Sequence, residues 1–294
     1  MTPFDRYEQR VGTGETLSAE EIRALAISAD VLSLGMLADS LRRRLHGTRT
    51  TFLRVQEVPC DQVAEGGVLA SAGEVRLTGS PQDLASAVKA VRLARAAAGA
   101  CPVAAFSWAD VERWSAGGQV GPVLEQLRAA GLEAFVALPL DELANAARAV
   151  ESLARAGFGR LRLTVNTAPA DERTNLLLRA RELQDAFGCV QAINPLPMTL
   201  LGFRPTTGYE DVRMVAIARL AAPAVPSIQV DWKRYGPKLA QVALSFGADD
   251  VDGVSASDEA PEGRRRAPLA EIRRNIEAAG LVAAERDGRF AVLG

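Results

Sequence analysis

From residue 51 onward, short β-rich runs alternate with longer helical ones, and this alternation constrains the fold more than any other feature of the chain. The strand-like runs are TFLRVQEV (51–58), EVRLTG (74–79), PVAAF (102–106), AFVAL (134–138), RLRLTV (160–165), CVQAIN (189–194), SIQVDW (227–232) and DDVDGV (249–254). Between them lie PQDLASAVKAVRLARAAAG, VGPVLEQLRAAG, LDELANAARAVESLARAG, ERTNLLLRARELQDAFG, YEDVRMVAIARLA and GPKLAQVALSFG, with apolar residues at i, i+3, i+4 and mostly a glycine where a helix should end. Strand–helix alternation of this kind demands a parallel sheet. Eight strand candidates in 294 residues favour the closed (β/α)8 TIM-type barrel over an open doubly wound sheet.

Upstream, SAEEIRALAISADVLSLGMLADSLRRRL begins with Ser18 as an N-cap and Glu21 as its capping-box partner, which predicts a prelude of two helices. The expected organisation is an N-terminal helical extension over 1–48 and a barrel over 49–294. The polar run SASDEAPEGRRRAP, 255–268, is expected to be a mobile loop.

Composition removes several function classes. A hydrophobic fraction of 48% suffices for one large core. No run of about 18 uncharged apolar residues occurs. The N-terminus MTPFDRYEQR carries charge where a secretory signal needs an apolar stretch, so a cytoplasmic protein without membrane contact is expected. A formal charge of −2 with dispersed Arg and Glu lacks the basic stripe of a nucleic-acid binder. Small molecules are the expected partners. Cys60, Cys101 and Cys189 are odd in number and contain no CxxC pair, which predicts buried thiols rather than disulfides or a cysteine zinc site.

With His46 as the only histidine, a histidine-rich metal site is excluded, and no metal site is expected. His46 reads as a helix C-terminal residue complementing the dipole. Arg42, Arg43 and Arg44, like Arg264 to Arg266, read as solvated faces ahead of anion sites. Gly66-Gly67 and Gly117-Gly118 match neither nucleotide-binding glycine motif.

The stretches TTGYEDVRMVAIARL, IQVDWKRYGPKLAQVALSFGADDVDG and IEAAGLVAAERDGRF resemble the C-terminal half of the radical S-adenosylmethionine (SAM) enzymes of menaquinone biosynthesis by the futalosine pathway. Those enzymes include aminofutalosine synthase, dehypoxanthine futalosine cyclase and the related deazaflavin synthase subunits. The resemblance continues upstream through RARELQDAFGCVQAINPLPMT, VLEQLRAAGLEAF, AAFSWADVERWS and VRLTGSP to LADSLRRRLHGTRTTFLRV, with GADDVDG its most specific part.

It implies a CxxxCxxC motif after the first strand, whose three thiolates hold three irons of a 4Fe–4S cluster and leave the fourth for S-adenosylmethionine. Here the loop reads PCDQVAEGGV. With Cys60 as the first ligand, the other positions fall on Ala64 and Gly67, which offer no ligating atom. Where the family places a Gly-rich stretch and an acid after the fourth strand, this chain has ALPLDEL, leaving Asp141 or Glu142 as substitutes for the acid. The Thr78-Gly79-Ser80-Pro81 turn keeps the glycine that approaches the methionine moiety in relatives, or is an ordinary strand-to-helix turn.

Strand ends facing the barrel mouth are Gln56, Glu57, Thr78, Ser107, Trp108, Asn166, Asn194, Asp231, Trp232, Asp249, Asp250 and Asp252. The resemblance implies that the last two strands help bind substrate. The expected binding set is therefore Thr78, Gly79, Asn166, Asn194, Asp231, Trp232, Asp250 and Asp252. Asp231, Asp250 and Asp252 are the acid–base candidates, because carboxylates sharing a cavity separate their pKa values. The structural alternatives are helix capping by the aspartates and a plug role for Trp232.

The expected function is a degenerate radical-SAM-like barrel that lacks the 4Fe–4S cluster and serves as a ligand-binding or partner subunit beside a paralogous enzyme. No cofactor is required, and SAM or a nucleoside is a candidate ligand. The alternative is a cluster-independent enzyme using the mouth carboxylates on an aromatic or nucleoside substrate.

Overall fold

The computed structural model describes residues 3–63, 67–199, 207–263 and 265–293. Ala64, Gly66 and Arg264 of the sequence reading lie outside them. Three helices come first: α1 (Pro3–Thr13), α2 (Ala19–Ala26) and α3 (Val31–His46). The expected pair corresponds to α2 and α3, and Ser18 with Glu21 forms the reciprocal capping box at the head of α2. Helix α1 is an addition to the reading. It stays in place through Arg10, which ion-pairs Glu15 and Glu21, and through Arg44, which donates to the Val11 carbonyl at 2.7 Å.

The barrel strands are β1 (Arg49–Pro59), β2 (Glu74–Thr78), β3 (Val103–Ser107), β4 (Ala134–Pro139), β5 (Leu161–Val165), β6 (Val190–Pro197), β7 (Ser227–Asp231) and β8 (Asp250–Ser255). They pair in parallel in chain order, and β1 closes the ring by bonding both β8 and β2. The expected (β/α)8 barrel is the fold.

Between them run α4 (Leu84–Ala98), α5 (Trp108–Ser115), α6 (Gly121–Ala130), α7 (Ala146–Arg155), α8 (Ala170–Phe187), α9 (Gly208–Ala221) and α10 (Trp232–Leu244), and α11 (Pro268–Ala278) follows β8. Helix α10 starts directly on β7 and bends at Gly236, whose φ of 73° precedes Pro237. Of the 255–268 segment, Ser255 ends β8, Pro268 begins α11, and the described residues 256–263 and 265–267 lie between the two elements.

A ninth strand, β9 (Val282–Arg286), was not expected. It pairs with β1 from Arg49 to Leu53, while β2 takes the same edge of β1 from Val55 to Pro59. The closing segment therefore wedges beneath β2 at the base of the barrel.

The helix-facing sides of the strands bury an aliphatic core with Val75, Val103, Phe135, Leu163, Ile193, Ile228 and Val251 at its centre. Side chains alternate across each strand. The opposite face, the barrel lumen, receives Glu74 and Arg76, then Arg162, Gln229, Asp250, Asp252 and, from β9, Arg286.

Candidate functional site at the barrel mouth

Two layers of charge fill the lumen. At the floor, Arg286 clamps Asp250 with two bonds of 2.6 Å, and Asp250 also accepts from Gln229 at 2.7 Å and from Thr51. Across the floor Glu74 pairs Arg162, with Nη1 to Oε1 at 3.0 Å. Phe290 lies 3.9 Å from Arg286 and 5.5 Å from Arg162, a cation–π lid under both guanidiniums. One level up, Arg76 bridges Glu74 at 2.7 Å and Asp252 at 3.0 Å. Three carboxylates thus meet three guanidiniums. Burial pushes Glu74 and Asp252 up, but Arg162 and Arg76 around Glu74, and Arg76 foremost around Asp252, bring both below the usual carboxylate range.

Asp231 stands above this matched set, at the C-terminal end of β7 and in register with Asp252. Its carboxylate caps α10 by accepting from the Arg234 amide at 2.8 Å, and Arg234 Nε is 3.9 Å away. Burial raises its pKa, and repulsion from Asp252 adds to the rise. The neighbouring carboxylates therefore shift in opposite directions, Asp231 up by burial and Asp252 down by Arg76. At the rim, Lys233 pairs with Glu57 of β1 across the end of β8. Trp232 begins α10 with only 9% of its surface exposed.

Of the other expected site residues, Thr78 ends β2 and its carbonyl accepts from the Cys60 amide at 2.9 Å. Gly79 follows at φ 86°, and a Cβ there would meet open space, so it is the backbone turn that requires glycine. Asn166, at the end of β5, accepts from Thr199 at 2.7 Å and donates to Glu142. Asn194 is buried in β6 and accepts from the Leu196 amide at 3.2 Å. Asp141 accepts from the amides of Asn166, Thr167 and Ala168 at 2.8 to 2.9 Å, so it ties down the β5 loop.

Asp250 departs from the reading. It is the first residue of β8, at the floor end, and its oxygens are engaged by Arg286, Gln229 and Thr51. Asp249 points outward to Arg219. One residue of strand phase and the strand's direction separate both from Asp252. Arg42 also departs: it is fully buried, whereas Arg43 keeps 48% of its side chain in solvent. The lumen residues Glu74, Arg76, Arg162 and Arg286 were missed; alternate charges in EVRLT and RLRLTV, at period two inside buried strands, carry the signal of the first three, and VAAER carries none for Arg286.

On the far side of the mouth, Ser80 and Arg113 converge on Asp110, the latter at 2.8 Å, and Asp110 also accepts from the Ser107 amide and hydroxyl at 2.9 Å. These bonds, above all that from Ser80, hold the carboxyl below its usual range against the opposing effect of burial. Phe106, just before Ser107, adopts φ 60° and packs edge-to-face on Trp114 at 4.9 Å.

Residues 200–291 match the model of the CofH/MqnC C-terminal region. A 5-amino-6-(D-ribitylamino)uracil–L-tyrosine 4-hydroxyphenyl transferase of Archaeoglobus fulgidus is 35% identical over 136 residues, covering 42% of this chain and 39% of that protein. The aminodeoxyfutalosine synthase of Thermus thermophilus is 33% identical over 142 residues, covering 41% and 36%. A cyclic dehypoxanthine futalosine synthase of Streptomyces coelicolor is 32% identical over 123 residues, covering 39% and 31%. The chain is a relative of the futalosine-pathway radical SAM enzymes. The aligned part spans under two fifths of those relatives' lengths, a narrower stretch than the resemblance read along the whole sequence. The fold extends further: methylornithine synthase matches with a TM-score of 0.66 over 95% of this chain and 97% of its own, at 16% identity. The hydrogenase maturase HydG matches at 0.69 over 96% and 75%, at 14% identity.

The cysteines do not fit the three-thiolate cluster of a radical SAM enzyme. Cys60 sits at the mouth just after β1, whereas Cys101 and Cys189 precede β3 and β6 at the opposite end of the barrel. Gly67 stands where the third ligand would be. Burial, together with Asp61 and Asp110, pushes the Cys60 thiol up to about 11, against the thiolate that iron requires. Among the described residues no three His, Cys, Asp or Glu side chains are grouped to hold a metal ion, and no helix is long and apolar enough to cross a membrane.

Proposed function

We propose that this chain is a degenerate member of the futalosine-pathway radical SAM group, which keeps the barrel and the β7–β8 side of its mouth and works without a 4Fe–4S cluster. In this reading it is a cytoplasmic ligand-binding or partner subunit that acts beside a paralogous enzyme in menaquinone biosynthesis. The observation that carries it is the β1 loop: one thiol with a raised pKa, with Ala64 and Gly67 at the other two ligand positions. The cross-linking of Ser80 to Asp110 and Arg113 beside that loop supports it, since side chains of this chain hold the turn that lies nearest SAM in relatives. Anaerobic reconstitution with iron and sulfide tests the reading. Protein without the broad visible absorbance of a four-iron cluster is expected, and a stable cluster that cleaves S-adenosylmethionine would refute it.

The pocket residues of the proposal are Thr78, Gly79, Asn166, Asn194, Asp231, Trp232 and Asp252, with S-adenosylmethionine or a nucleoside as the ligand class. A thermal-shift series with S-adenosylmethionine, adenosine and inosine should give a concentration-dependent rise for at least one of them. A second reading, cluster-independent acid–base catalysis, is favoured by one observation: the opposite shifts of Asp231 and Asp252. There Asp231 is the proton donor and Asp252 the carboxylate kept ionised by Arg76. Turnover of a nucleoside or aromatic substrate without iron, lost in Asp231→Asn, is its signature.

A further inference from the structure

At the end of the barrel away from the mouth, a cleft of about 390 Å³, part of it open to solvent, lies where β3, β4 and β5 begin. Its walls include Arg128 of α6, Glu133 just ahead of β4, Gly159 and Arg160 just ahead of β5, and Arg289 after β9. Part of this charge is already matched. Arg289 holds Glu133 through Nε and Nη2 at 2.7 Å each and has Asp287 3.6 Å from Nη1, while Arg95 donates to the same Glu133 at 3.1 Å. Two guanidiniums there stand against two carboxylates.

Arg128 and Arg160 are not matched. Arg128 donates Nη1 to the Leu132 carbonyl at 3.0 Å and lies over the Phe158 ring at 5.5 Å, and Phe158 is itself packed edge-to-face on Phe135 at 5.0 Å. Its orientation is therefore set, yet no carboxylate among the described residues meets it. Arg160 has neither a hydrogen bond nor an ion pair with any described residue. The backbone beside it is open too. The Phe158 amide donates to Leu153 at 3.0 Å and the Leu161 amide to Cys189 at 2.9 Å, whereas the two amides between them, of Gly159 and Arg160, donate to no described residue. A Cβ at Gly159 would meet nothing within 4 Å, so a ligand can reach this backbone. One cleft thus gathers two guanidiniums without a counter-charge and two adjacent free amides. Guanidinium forks and consecutive backbone N–H groups are the donors that oxyanions take, and an excess of two positive charges favours a dianion over a singly charged ion.

We propose that this cleft binds a phosphate group, as free phosphate or as a phosphomonoester, between the guanidiniums of Arg128 and Arg160 and against the Gly159 and Arg160 amides. The site is independent of the mouth and of any chemistry there.

Thermal unfolding in sodium phosphate against sodium chloride, at matched pH and ionic strength, tests it. The midpoint should rise by about 3 °C for each tenfold increase of phosphate above its dissociation constant. Arg160→Gln removes a side chain with no partner in the fold, so it should unfold normally in chloride and bind phosphate roughly tenfold more weakly. The same series with glycerol 3-phosphate separates the two sources: tighter binding than inorganic phosphate identifies a phosphomonoester, equal or weaker binding free phosphate. Crystals soaked in sodium tungstate should show an anomalous peak within hydrogen-bond distance of both guanidiniums, a readout that needs no variant. Equal midpoints in phosphate and chloride, a phosphate effect that is undiminished in Arg160→Gln, or a cleft without anomalous signal would overturn the proposal.

Discussion

The floor and the mouth of this barrel handle buried charge in opposite ways. At the floor, Asp250 is held by two bonds from Arg286 and one from Gln229, and Glu74 is shared by Arg162 and Arg76. At the mouth, Asp231 has a helix amide and a distant Arg234, and faces a second carboxylate. A matched set of buried charges fixes one geometry, because displacing any member strands another. An incompletely matched carboxylate can exchange a proton or take a ligand donor instead. The difference teaches that abundant charge inside a barrel does not mark a site by itself; the group whose partner is missing does.

The largest expected effect breaks the floor. Arg286→Met leaves Asp250 buried with neutral partners only and should destabilise the fold by about 3–5 kcal/mol, read from urea unfolding. The double variant Arg286→Met, Asp250→Leu should recover a good part of that loss. If Arg286→Met alone left the midpoint unchanged, the floor would not be a matched set.

Second in size is the reactivity of Cys60. With its thiol at about 11, against roughly 8.5 for a free cysteine, it should carry about three-hundredfold less thiolate near neutral pH. Alkylation by iodoacetamide, mapped by mass spectrometry, should be correspondingly slow and should accelerate with pH up to that value. A fast reaction at pH 7 would mean that the mouth is wetter and less acidic there than the structure shows.

Asp231 and Asp252 give a third effect, of opposite sign for the two groups. Asp231 has a raised pKa in the folded protein, so its protonation favours folding; that stabilisation is complete below the unfolded pKa and fades as pH rises through the folded one. Asp252 has a lowered pKa, so its contribution is present above the unfolded value and is lost as pH falls through the folded value. Asp231→Asn keeps a capping oxygen and should therefore raise the unfolding midpoint at pH 7, with the gain shrinking toward pH 4. A loss of stability at pH 7 would show that Asp231 is as well matched as the floor.

The smallest effect concerns the rim. Lys233 and Glu57 are both exposed, and Lys233→Ala should cost under about 1 kcal/mol, falling further in 0.5 M salt. A cost of several kcal/mol would make the rim pair part of the matched set.

The fold was legible because it rests on periodicity. Each β-rich run and each i, i+3, i+4 helix from residue 51 to 254 contributed to the barrel, and eight such runs set the closure. Strand β9 was not legible: VAAER is short and bears no strong alternation, and its place is set by the vacant lower edge of β1 beneath β2. For the candidate site, Asp231 and Trp232 were legible as strand-end residues, whereas Asp252, read as one, lies inside β8 and pairs with Arg76, and the loop after β1 was legible by what it lacks. Asp249 and Asp250 were misplaced because a run of acids does not state where the strand begins, and one residue of phase sends a side chain to the other face. Arg42 was misplaced for a related reason. A triple-arginine run looks solvated until α9 packs over α3 and buries one of the three.

By itself, then, the sequence determined the (β/α)8 alternation, the capped helical extension, the kinship of the C-terminal third, and the absence of second and third thiols after β1. Each of these is local: a period, a cap, a run of residues or the identity of a side chain. Only the tertiary structure decided which carboxylate meets which guanidinium. Glu74 with Arg162 and Asp250 with Arg286 are pairs separated by 88 and 36 residues, brought together by closing the ring. Long-range electrostatics depends on that closure, and it is what sets the lone Asp231 apart from an otherwise balanced interior.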